Sequence, residues 1–198
     1  GAILSIMMPD KNGKMESVIM GHDSLEHVMN SKEEFLSVLI GRYGNRIAAG
    51  KFTLDGKQYN LAVNNGINHL HGGPTGFHKR VWDAQQLDSQ TLQLHYISID
   101  GEEGFPGQLE VTVIYKLTDD NEFAIEYEAT TDQKTIVNLT HHAYFNLNGM
   151  SKNTKTVLDN MLTVNADYYI PIDDTAIPLG RIDQVNGTAF DFRTPHRI

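Results

Sequence analysis

The chain has 198 residues, with 16 Lys and Arg against 25 Asp and Glu, for a formal net charge of −9. That balance, without any Lys/Arg cluster, excludes the basic face of a nucleic-acid binder and offers little attraction to anionic lipid, so neither nucleic acid nor membrane is an expected partner. The lack of cysteine excludes disulfides and thiolate metal sites but leaves the compartment open: the cytoplasm is favoured, and a secreted or periplasmic location stays compatible. Hydrophobic residues at 40% and charged residues at 21% fit an ordinary globular chain, and the length fits a single domain over residues 1–198. No apolar run approaches the ~20 residues of a bilayer span.

In chain order, residues 1–7 read as a strand that begins without a polar lead-in, and Asp10-Lys11-Asn12-Gly13 reads as a turn. Residues 24–30 fit a short helix, capped by Asp23 or Ser24, with a further turn over 32–37. Residues 52–54 and 57–61 flank Asp55-Gly56, whose positive φ suits a tight hairpin. Residues 81–86 and 92–99 are strand candidates. Asp100 to Gly107 is an acidic, Gly-rich loop without the EF-hand pattern. The clearest hairpin follows. Leu109, Val111, Val113, Tyr115 and Leu117 alternate with polar neighbours. Phe123, Ile125 and Tyr127 do the same beyond the turn Asp119-Asp120-Asn121. Residues 135–139 and 161–164 complete the strand candidates. Many strands, few helices and frequent turns point to an all-β sandwich or barrel. The abrupt opening at Gly1 and close at Ile198 lead us to expect a piece of a longer protein.

Two segments carry the chemistry. Asn68-His69-Leu70-His71-Gly72-Gly73 places two glycines behind His71, so backbone or ligand can approach closely. Asn138-Leu139-Thr140-His141-His142-Ala143-Tyr144-Phe145-Asn146-Leu147 surrounds His142 with groups able to orient an imidazole or a polyhydroxylated ligand. Histidine exchanges protons near neutrality, so His142 and His71 are candidate proton-transfer residues. A hydrogen-bonded structural histidine is the bland reading, and it is preferred for His69 and His141. In a strand only one of His141 and His142 can face a given cleft. His69-x-His71 also has strand spacing for two metal ligands, a weaker reading because no carboxylate partner stands nearby. Gly41-Arg42-Tyr43-Gly44-Asn45-Arg46-Ile47 is either a solvated basic turn or a donor set for sugar hydroxyls. Trp82 reads as a core residue before a sugar platform.

Taken in order, these segments resemble the aldose 1-epimerase (galactose mutarotase) family. The likeness runs through Pro9-Asp10-Lys11-Asn12-Gly13, Gly21 to Leu25, Gly41 to Ile47, and Asn68 to Gly73 with Gly76, Phe77 and Trp82. It continues through Asp100 to Gly107, Asn138 to Leu147, and Gly187-Thr188-Ala189-Phe190-Asp191-Phe192-Arg193. The resemblance implies a large antiparallel β-sandwich, incomplete in this chain, that binds a hexose such as galactose or glucose on one sheet. It implies that His142 protonates the ring oxygen and that His71 hydrogen-bonds the sugar. Asn45, Arg46 and Tyr144 are implied as sugar-binding residues. No cofactor or metal is implied. The family's glutamate base belongs to a later motif and is expected to lie outside these residues. Self-association through exposed sheet edges is a further expectation. The alternatives are a non-catalytic carbohydrate-binding module on the same sandwich and a metal-dependent enzyme on a cupin-like barrel.

Overall fold

Alternation over residues 109–117 becomes the central strand of a four-stranded antiparallel sheet. In the computed structural model, which describes residues 1–151 and 156–198, the order is Phe123–Thr131, Leu109–Leu117, Thr91–Ser98, Asp83–Gln86. Leu109, Val111, Val113 and Tyr115 turn inward and are buried, while Glu110 and Lys116 stay exposed. They pack with Leu39, Phe77, Trp82 and Leu94 into one hydrophobic cluster. Each fully buried aliphatic side chain there contributes roughly 1.5–3 kcal/mol. Trp82 is therefore a core residue, as expected, with its indole N–H donated to the Phe77 carbonyl (3.3 Å).

The described chain divides into two compact units. The first comprises Gly1–Ile3 and Ser31–His142, and the second Leu4–Asn30 and Ala143–Ile198. In the first, the hairpin Lys51–Leu54 with Lys57–Asn60 turns on Asp55 (φ 50°) and Gly56 (φ 79°), as the dipeptide predicts. Its Phe52 stacks on Tyr59 (5.1 Å) and packs against a second cluster of Ile47, Leu61 and Phe105. Two short ladders then place the histidine segments. Arg46–Ile47 pairs with His69–Leu70, and Leu39–Ile40 pairs with Thr140–His141.

In the second unit, Met7–Pro9 pairs with Met15–Ser17. The Asp10 carboxylate accepts the backbone N–H groups of Asn12 (2.8 Å) and Lys14 (2.9 Å) in the turn between them. Leu25–Asn30 is the one α-helix among the described residues, and Ser24 Oγ accepts the His27 N–H (3.1 Å) as its cap. Met161–Leu162 pairs with His196–Arg197, and Tyr168–Tyr169 with Asp183–Gln184.

Two expected strands are displaced. Over residues 1–7, only Met7 is strand. The first three residues belong to the other unit, where the Ile3 N–H reaches the Ser37 carbonyl (2.8 Å). Residues 135–139 form no ladder. Their contact is an isolated parallel bridge, in which Asn138 N–H donates to Arg42 O (2.9 Å) and Gly44 N–H to Asn138 O (2.7 Å). The strand proper is Thr140–His141. Alternation in an apolar run does not reveal whether a partner strand is long enough to extend the pairing. The described residues form an all-β fold, and no helix among them is long and apolar enough to cross a membrane.

Candidate functional site

The site begins where the Arg46–Ile47 and His69–Leu70 ladder runs out. Arg46 pairs with Leu70, which leaves Asn45 and His71 as the next opposing residues. Both leave the strand region, with φ of 65° and 53°. Asn tolerates this left-handed conformation, whereas for histidine it is uncommon. They hold each other by two bonds: His71 N–H donates to Asn45 O (3.0 Å), and Asn45 N–H donates to His71 Nδ1 (3.0 Å). Because Nδ1 accepts, the proton of the neutral ring sits on Nε2. Arg46 is aimed just as firmly. Its Nε donates to Asn65 Oδ1 (2.9 Å), and a terminal nitrogen donates to Asn45 Oδ1 (3.2 Å).

His142 arrives from the other ladder. Its N–H donates to Val38 O (2.9 Å), and its carbonyl accepts the Ser37 N–H (3.1 Å). Its ring stands perpendicular to that of His71, with centroids 5.0 Å apart. His141, one residue earlier, points the other way and meets Tyr115 in the core (5.7 Å). The two neighbouring rings thus meet different partners, as strand alternation requires. His71, His142, Asn45 and Arg46 converge in the first unit, while Tyr144 belongs to the second, where its carbonyl accepts the Met20 N–H (2.8 Å).

Burial holds the His71 pKa down, to about 4 from an ordinary 6.5, with smaller contributions from the nearby His142, Arg46 and His78. His71 is thus a neutral hydrogen-bonding group at physiological pH. His69 is fully buried. Its Nδ1 donates to Ala62 O (2.8 Å), and its ring lies edge-on to Phe105 (5.5 Å). His69 and His71 face different partners, as the kink at His71 requires. Among the described residues no three His, Cys, Asp or Glu side chains gather into a metal-holding group.

Two features were not anticipated. Arg42, grouped above with the possible sugar donors, is 2% exposed. Its guanidinium donates to Ser98 Oγ (2.8 Å) and to the carbonyls of Ser98, Ile99, Pro106 and Gly107 (2.7–3.0 Å). It fastens the 98–107 loop, and no donor is left for a ligand. The second feature is Phe35, in the expected turn over 32–37. Its ring contacts His71 (4.7 Å), His78 (4.8 Å) and His142 (6.3 Å). The one available signal was an aromatic residue closing the polar run Ser31-Lys32-Glu33-Glu34. His78 carried no signal at all.

A family model described as aldose 1-epimerase matches residues 1–198. Galactose mutarotase of Bos taurus is 45% identical over 193 residues, which cover 98% of this chain and 55% of that protein. This chain belongs to the aldose 1-epimerase family. Another relative in this aldose 1-epimerase family, the aldose 1-epimerase of Escherichia coli (strain K12), is 41% identical over 192 residues, 97% of this chain and 54% of the relative. The crystal structure of a GalM/aldose epimerase homologue from C. elegans superposes with a TM-score of 0.91 at 33% identity, over 99% of this chain and 59% of that one. The aldose epimerase fold is thus shared, and the chain spans about half the length of the curated relatives it matches.

Proposed function

We propose that the protein bearing this sequence interconverts the α and β anomers of a hexose, galactose or glucose, by acid/base ring opening and closure. His142 gives a proton to the ring oxygen while a base takes the proton of the C1 hydroxyl. The ring opens, the aldehyde turns about C1–C2, and closure from the other face delivers the second anomer. His71, through its Nε2–H, and the Asn45 and Arg46 side chains hold the hydroxyls. A positioned proton donor is worth about 10²–10⁴ in rate. The observation that supports this reading is the pairing of two half-buried imidazoles with centroids 5.0 Å apart, beside an arginine held by two asparagines. Family membership supports the reaction class. The protein at the length of its relatives is expected to accelerate the optical-rotation change of freshly dissolved α-galactose. Rotation that follows the buffer rate would overturn the proposal.

The base, in this proposal, is not among these 198 residues. The groups whose charge bears on His71 are His142, Arg46 and His78, and none is a carboxylate. Glu102 is engaged by Tyr96 and Ser98, and Glu103 by Thr75. That arrangement favours sugar binding without turnover as the behaviour of the 198-residue chain alone. Polarimetry separates the two: acceleration by this chain that vanishes in His142→Ala would place a base within it.

A further inference from the structure

His71 and His142 are two imidazoles of like chemistry, yet a proton relay needs them to differ. The ring that touches both is Phe35, which lies edge-on to His71 at 4.7 Å and stacks more distantly on His142 at 6.3 Å. We propose that Phe35 is a positioning residue that makes the pair unequal: its ring walls His71 off from water and keeps it the uncharged hydrogen-bonding member, leaving proton transfer to His142. The inference rests on the acid/base reading of this site.

The surroundings of the two rings support this role. An apolar ring in edge contact removes water from an imidazole and favours its neutral form. The Asn45 N–H delivered to Nδ1 has the same preference, because it bonds only the ring form with a lone pair there. Phe35 is itself pinned. On one side it meets His78 at 4.8 Å. The adjacent Glu34 carboxylate accepts from Lys79 Nζ (2.9 Å), and Leu36 N–H closes the turn onto Glu33 O (3.3 Å). The charged or titratable groups facing His71 are His142, Arg46 and His78, and every one of them as a cation opposes a second positive charge. Those around His78 are Lys79, Arg80 and Glu34. Phe35 is thus the uncharged member of a ring of potential cations, placed where it excludes the water that would screen them.

The test is an NMR titration of the ring nitrogens of His71 in the 198-residue chain, without sugar and without turnover. His71 should stay neutral, with its proton on Nε2, until the pH approaches about 4. In Phe35→Ala its midpoint should rise by roughly one unit or more toward 6.5. Phe35→Leu should give a smaller rise, and Phe35→Tyr should restore the original value. The His141 ring, packed on Tyr115 away from Phe35, reports whether each variant keeps its fold. If Phe35→Ala does not fold, the Phe35→Leu shift decides. An unchanged His71 midpoint in a folded Ala or Leu variant overturns the proposal, as does a wild-type His71 that titrates near 6.5. Loss of the mutarotase reading would show in polarimetry and leave this titration untouched, so the two failures are distinguishable.

Discussion

Asn45, Arg46 and Arg42 lie within five residues of one another and do different work. Arg46 and Asn45 end at the histidine pair, so Arg46→Ala in the full-length protein should raise KM for galactose as well as lower kcat, read by initial-rate polarimetry. A fall in kcat alone would remove Arg46 from the binding set. Arg42→Met should take the guanidinium donors from four carbonyls in the 98–107 loop, of which Ile99 O keeps the Glu102 N–H (3.1 Å). Each orphaned buried acceptor costs about 1–3 kcal/mol, so a loss of roughly 3 kcal/mol or more is expected in urea unfolding. The sequence placed both arginines in one motif but said nothing of direction. Which fork reaches toward the histidine pair and which meets a loop is decided by the ladder that orients Arg46 and the burial that claims Arg42. Gly72 is similar. Its φ is 83°, and a Cβ there would collide with the Gly41 carbonyl oxygen. Gly72 therefore serves a backbone approach, whereas a Cβ at Gly73 would meet the Glu103 side chain, and Gly72→Ala should dislodge the His71 loop.

The hairpins were readable because their signals are local: a dipeptide that supplies positive φ, and alternation that survives on both arms. Gly56 has open space around it, so Gly56→Val should cost only the left-handed backbone penalty of about 1–2 kcal/mol by urea denaturation. A larger loss would mean the turn packs against something. The two-residue ladders that hold the site were invisible, since a strand of two residues has no period. Phe35 escaped for the same reason, its role arising from which loops meet. The Phe123–Thr131 strand borders its sheet with six of nine residues exposed. We propose that this edge pairs with other chains, because unpaired N–H and C=O groups template association. Sedimentation should then show concentration-dependent species, and a monomer at high concentration would refute it.

In the molecule as a whole, three histidines couple stability to pH. His71, His78 and His141 are each held down to about 4 from 6.5, chiefly by burial. The unfolded chain takes up protons near 6.5 while the folded chain resists until about 4, so the unfolded state binds more protons in that window. Stability should be full above pH 6.5 and fall as pH drops toward 4. A urea midpoint unchanged between pH 7 and 4.5 would contradict the burial of these rings. Fold class and family were readable from motif order, because the motifs are contiguous. The candidate site was readable only residue by residue, because its members meet through separate ladders. We propose that His142 is the proton donor of an anomer-interconverting site, and polarimetry of α-galactose decides it. In the protein at the length of its relatives, His142→Ala should cut kcat by roughly 10²–10⁴ while changing sugar affinity far less; near-full activity in that variant would contradict the account.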